Sequence, residues 1–219
     1  MAKSKSSRAW LHEHVTDPFV HKAKAAGYRS RAAFKLIELV GRDRLLRPGM
    51  TVVDLGAAPG GWCQVLTQRI LPGGVVVALD LLPMAPITGV SFVHGDFRED
   101  SVIAEVDRIL AGRAIDLVLS DMAPNMTGIA VTDQARAGDV AELALDFART
   151  RLKPGGDFLV KVFESGETQA LRRVIKGCFA SLATRKPEAS RDRSAEIYLL
   201  ARGCRPSARP LGASVEESD

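Results

Sequence analysis

VVDLGAAPGGW, residues 52–62, decides the fold. It opens as a run of branched apolar residues and then breaks on three glycines, Gly56, Gly60 and Gly61. A Val-rich run with little polar alternation reads as a strand buried on both faces. The glycines let the chain turn tightly and bring its backbone close to a ligand. GWCQVLTQRIL (61–71) then continues as a helix. A strand, a glycine loop and a helix in this order open an α/β unit, and open α/β sheets bind ligands beyond the carboxyl ends of their strands.

The same alternation continues downstream. GVVVALD (74–80), VSFVHGD (90–96), AIDLVLSD (114–121), GDFLVKVF (156–163) and AEIYLLARG (195–203) read as strands. Helical patterns lie near 99–111, at 132–152 with Thr132 as N-cap, and at 167–181. ATRKP (183–187) and AEIYLLARG have no helix between them, so they read as an antiparallel hairpin. Upstream, residues 30–44 form a helix capped by Ser30. The expected architecture is a Rossmann-like α/β fold, a mostly parallel seven-stranded sheet with a C-terminal antiparallel hairpin. Residues 1–30 form a basic arm, 31–204 the catalytic domain, and 205–219 a Pro/Ser/Glu-rich tail expected to be disordered.

The whole chain has 219 residues, 46% hydrophobic and 26% charged, enough for one cored domain. No apolar run reaches the ~18–20 residues of a membrane-spanning helix. The N-terminus MAKSKSSRAWLHEH lacks the apolar stretch of a secretory signal; its basic, Ser-bearing character leaves a transit peptide as the alternative. Cys63, Cys178 and Cys204 are far apart in sequence, which fits a reducing, cytoplasmic setting. His12 and His14 have no further ligand near them, so no metal is expected.

The net charge of +4 hides a strong asymmetry. Residues 1–35 carry +6, residues 36–184 carry −3, residues 185–209 carry +4 and the last ten carry −3. Two basic segments therefore flank a mildly acidic body, a pattern that suits a polyanionic partner.

The glycine loop lacks G-x-G-x-x-G, which opposes a dinucleotide oxidoreductase, and it lacks the Lys of a phosphate-binding loop. Asp54 within it would repel an anion. Asp80 and Asp96 stand at the next two strand ends, where carboxylates can bind ribose hydroxyls and an adenine amino group. A nucleoside of positive charge fits these acids, and S-adenosylmethionine is such a ligand.

VDLGAAPGGW, DLLPM, GDFRE, SDMAPNMTG and LVKVFE, in this order, closely resemble the RrmJ/FtsJ (RlmE) family of S-adenosylmethionine-dependent ribose 2′-O-methyltransferases of ribosomal RNA. The likeness runs from about Arg8 to Gly203. It implies that Gly60, Trp62, Asp80, Asp96 and Asp121 bind the cofactor, with Trp62 as core packing the alternative. It also implies a Lys-Asp-Lys-Glu tetrad, matched by Lys35, Asp121, Lys161 and Glu196. Lys161 stands alone among apolar residues in FLVKVF, where burial is costly without a partner. Desolvation and Lys35 would lower its pKa; Asp121 and Glu196 would raise it. It acts either as a neutral base or as a charged group that orients the hydroxyl.

Lys22, Lys24, Arg29 and Arg31, with Arg191 and Arg193 in the second cluster beside Arg185 and Lys186, are the expected RNA contacts. Aromatic residues are only 5%, which argues for shape recognition of a folded RNA rather than base stacking. The resemblance implies a uridine of 23S rRNA in the assembled large subunit, and a monomeric enzyme that meets no membrane. Transfer RNA, the mRNA cap, and an assembly factor whose methylation is secondary are the alternatives.

Overall fold

The computed structural model describes residues 17–124, 130–191 and 194–206. Seven strands form one sheet: β1 (Thr51–Leu55), β2 (Val75–Asp80), β3 (Val90–His94), β4 (Ile115–Ser120), β5 (Leu152–Phe163), β6 (Phe179–Arg185) and β7 (Glu196–Cys204). Their order is β3-β2-β1-β4-β5-β7-β6. β1 through β5 are parallel, and β7 runs antiparallel to both β5 and β6. The order reverses between β1 and β4, the switch point at which such sheets bind ligands.

Six helices lie among the described residues: α1 (Pro18–Ala25), α2 (Ala32–Asp43), α3 (Gly61–Ile70), α4 (Asp100–Leu110), α5 (Ala130–Arg151) and α6 (Gly166–Cys178). Val53, Leu55, Val77 and Val160 point to the face covered by α4, α5 and α6. Val52, Val76, Leu119, Leu159, Tyr198 and Leu200 point to the face covered by α2 and α3. Side chains alternate along a strand, so Asp54 and Lys161 fall on the α2–α3 face with Val52 and Leu159.

Four local expectations change. Residues within the expected arm form α1, which Asp17 caps by accepting the Phe19 amide at 2.9 Å, with Pro18 opening the helix. α5 begins at Ala130, so Thr132 lies inside it, and Arg31 rather than Ser30 holds the N-cap position of α2. The helix expected over 167–181 stops at Cys178, and β6 takes over at Phe179. Phe179 is fully buried against the Phe158 ring of β5 at 6.2 Å, a packing demand that outweighs local helical spacing. Arg193 and residues 207–219, the bulk of the expected tail, fall outside the described residues.

Candidate active site

The site grows from the carboxyl ends of β1, β2 and β4. β1 ends in Leu55, and Gly56 follows with a φ of +76°. Gly60, at φ +103°, caps α3. A Cβ at Gly60 would lie 2.6 Å from Ile87 Cδ1 and 2.9 Å from Met84 Sδ, so only glycine fits. The loop is pinned to β2 by the Gly56 and Ala57 amides, both donating to Leu79 O. Asp80 completes the tie. Its Oδ2 accepts the Ala58 amide at 2.8 Å and its Oδ1 the Leu82 amide at 2.7 Å.

Asp54 is buried beneath this loop at 1% exposure. Its Oδ2 accepts the Cys63 thiol at 3.3 Å, and its Oδ1 has no partner among the described residues. Burial, with the nearby charges of Asp121 and Asp80, pushes the carboxyl up to about 7, although the thiol bond pulls the other way. Burial and the same carboxylate push the Cys63 thiol up, so it is inert as a nucleophile.

Asp96 follows β3 and is gripped by Arg98, whose Nε and Nη2 reach its carboxylate at 2.9 and 2.5 Å. That bond holds Asp96 below the usual carboxylate range. Trp62 is buried: its Nε1 donates to Ala32 O at 2.8 Å and its ring lies 5.9 Å from that of Tyr198. Its side chain is core, and what it can offer a ligand is backbone at the start of α3.

The Lys and acid residues expected as a tetrad converge. Lys161 Nζ donates to Asp121 O at 2.5 Å and lies 3.0 Å from Asp121 Oδ1. Lys35 Nζ lies 2.6 Å from Glu196 Oε1. Lys35, Lys161 and Glu196 are each no more than 9% exposed, so both pairs are largely dry. Glu196 Oε1 also accepts the Ser190 hydroxyl at 2.8 Å.

Tyr198 joins the two pairs, and the sequence reading missed it. Its hydroxyl donates to Asp121 Oδ1 at 2.7 Å, and Lys35 Nζ sits 5.8 Å from its ring centre. It is the direct antiparallel partner of Lys161. Burial, then Asp121 and Glu196, push its hydroxyl well above its usual range, so it stays a donor. Burial by itself would raise Asp121, but Lys161, Lys35 and the Tyr198 hydroxyl outweigh it and hold the carboxyl low. The available signal was a tyrosine two residues after Glu196 in a buried strand, because residues two apart share a face.

The basic residues divide. Lys22 and Lys24 are exposed on α1. Arg31 pairs with Asp17 and donates to Ala189 O, and Arg185 is held by Asp43 at 2.6 Å. Arg191 Nε lies 4.0 Å from Asp17 Oδ2. The N-terminal and C-terminal basic segments thus meet around Asp17 and form one surface. Arg29 turns back onto the glycine loop.

An FtsJ-like methyltransferase family model matches residues 28–204. A ribosomal RNA large subunit methyltransferase E of Azoarcus sp. (strain BH72) is 60% identical over 200 residues, covering 91% of this chain and 98% of that protein. One from Chromobacterium violaceum is 54% identical, covering 94% of this chain and 100% of that protein. A crystal structure of a ribosomal RNA methyltransferase from Plasmodium falciparum superposes with a TM-score of 0.73 at 31% identity, covering 81% of this chain and 98% of that one. The chain belongs to the FtsJ-like methyltransferase family and is a methyltransferase.

Proposed function

We propose that this enzyme transfers the methyl group of S-adenosylmethionine to a ribose 2′-hydroxyl, that of a uridine in 23S rRNA within the large ribosomal subunit. The carrying observation is Lys161, buried on β5 with its Nζ on Asp121 O and 3.0 Å from Asp121 Oδ1.

The residues present fit the methyl donor. Asp54 Oδ1 is a buried oxygen without a partner, suited to a cation. Gly56 and Gly60 keep a cradle that side chains would fill. Asp80 stands where ribose hydroxyls bind, and Asp96 where an adenine amino group would be read. Gly60 and Trp62 offer backbone, and Asp121 borders donor and acceptor alike. S-adenosylmethionine, when bound, supplies a methyl group already activated by its sulfonium.

The chain's own residues then have a narrow task. The 2′-hydroxyl is a poor nucleophile, so it must be aligned and relieved of its proton as the bond forms. An ammonium has three donors, and Asp121 engages two of those on Lys161, leaving one for the ribose oxygen. Asp121, itself held by the Tyr198 hydroxyl, keeps that ammonium in place. The Lys35–Glu196 pair lies on the other side of Tyr198 and positions the ribose. As a neutral amine Lys161 would take the hydroxyl proton; as an ammonium it holds the developing oxyanion while water takes the proton. A pH–rate profile of single turnovers separates these roles: loss of one deprotonation step in a weakly active Lys161→Arg variant marks the proton acceptor.

The merged basic surface around Asp17 supports RNA binding, with Lys22, Lys24 and Arg191 as phosphate contacts, while Arg31 ties the two segments together. One chain supplies the whole tetrad, which supports a monomeric catalyst. The experiment supplies labelled S-adenosylmethionine with large subunits, free rRNA or tRNA, all lacking modifications, and maps the label. We expect one labelled ribose in the large-subunit RNA. No transfer, or label on a base, would overturn the reading.

A further inference from the structure

We infer that Arg29 is a positioning residue for the methyl donor's binding loops, not a phosphate contact; this rests on the reading of the cleft as a donor site. Its Nη1 donates to Pro59 O at 3.1 Å, on the glycine loop, and to Ala85 O at 2.6 Å. Its Nη2 donates to Pro86 O at 2.8 Å. Ala85 and Pro86 belong to the segment between β2 and β3, which starts immediately after Asp80. One guanidinium therefore straps two loops together. Asp80 joins the same loops from the other end, through the Ala58 and Leu82 amides.

Gly60 lies under the strap. A Cβ there would sit 3.2 Å from Arg29 Nη1, in addition to its clash with Ile87 and Met84. The strap is itself anchored. The Arg29 amide donates to Gln64 Oε1 at 2.8 Å, and Gln64 Nε2 donates to Gly27 O at 2.9 Å. Gln64 stands on the first turn of α3, immediately behind the glycine loop. The basic arm thus reaches the donor cleft through Arg29, while Lys22 and Lys24 remain exposed on α1.

The geometry needs a fork. Three carbonyls in different directions match a planar guanidinium, whose five N–H donors are fixed in space. A lysine ammonium keeps the charge but is a single point on a flexible stem. A phosphate contact would tolerate that exchange; a strap would not.

The test uses the full chain, with calorimetric titration of S-adenosylmethionine and of S-adenosylhomocysteine. Arg29→Ala and Arg29→Lys should both weaken binding about tenfold, as expected for a few exposed charge-assisted hydrogen bonds. The KM for the donor should rise with kcat little changed. Gln64→Leu should give the same effect at about threefold and leave the arginine charge in place. The salt slope of binding to large-subunit rRNA should stay that of the wild type in Arg29→Ala, whereas Lys22→Ala should lower it by about one contact. Unchanged donor affinity in both Arg29 variants, full rescue by lysine, or a lowered salt slope in Arg29→Ala would overturn the inference. A wild-type chain that binds neither donor nor product would overturn the donor-site reading itself.

Discussion

The two sides of the switch point handle charge in opposite ways. On the β2–β1 side, Asp80 and Asp54 are met by neutral donors, namely two backbone amides and a thiol. On the β4–β5–β7 side, each acid faces a lysine, Asp121 with Lys161 and Glu196 with Lys35. The first side gives these two acids no cationic partner, which leaves them to a cationic donor. The second is already balanced, so it can order a neutral hydroxyl without drawing in a counterion. Asp121 stands at the boundary and serves both.

The sharpest way to break this comparison is to delete Lys161. Lys161→Met should reduce single-turnover transfer by about 10³-fold, the scale of a lost proton-transfer or oxyanion group. Donor affinity should stay within about twofold, measured by calorimetry on the same variant. Equal losses in both would mean that the two sides are not separate. Asp121→Asn should come next and behave differently, because it borders both sides. It removes the charge that holds Lys161, and a transfer rate about 10²-fold lower should come with donor binding about tenfold weaker.

The donor side was legible in the sequence, and the reason is local. VVDLGAAPGGW places strand, loop and helix within eleven residues. β1, β2 and β4 are short apolar runs that the sheet buries on both faces. The other side depends on distance in the chain. Lys35 comes from a helix before the sheet and Glu196 from the last strand, and no local pattern joins them. Family likeness paired them, and β7 register explains why they meet. Tyr198 was hidden for the same cause, since only the pairing of β5 with β7 sets it opposite Lys161. Composition also misleads at the arm. Arg29 and Arg31 read as free positive charge, yet their guanidinium groups bind carbonyls and an aspartate. α1 had a readable start signal in Asp17-Pro18, overshadowed by the charge of the segment.

Tyr198→Phe sharpens the comparison from within the catalytic side. The ring remains under Lys35 and against Trp62, and one hydrogen bond to Asp121 is lost. A bond of this kind contributes about 1–2 kcal/mol, so kcat should fall about tenfold with donor affinity unchanged. A drop confined to thermal stability, with kcat unaltered, would reduce Tyr198 to core packing.

Asp54→Asn gives the smallest effect and the cleanest test of the donor side, because its signature is a pH dependence. The carboxyl has an ordinary value of 3.8, raised in the folded chain to about 7. Below about pH 4 both folded and unfolded chains hold the proton, so the group contributes no pH dependence. Between pH 4 and 7 the unfolded chain gives the proton up while the folded chain keeps it, so rising pH progressively favours unfolding. Above pH 7 both are ionised and the penalty is complete. Asparagine cannot ionise, and its carbonyl can still accept the Cys63 thiol. The melting temperature of the variant relative to wild type should therefore climb from pH 4 to 7 and then level off. Donor binding should carry the opposite sign in the wild type. A cationic ligand would favour the Asp54 carboxylate, so affinity should increase with pH up to about 7 and a proton should be released on binding. The variant should lose that increase. A melting difference flat across this range would mean that Asp54 is ionised throughout, leaving the donor side charged even without its ligand.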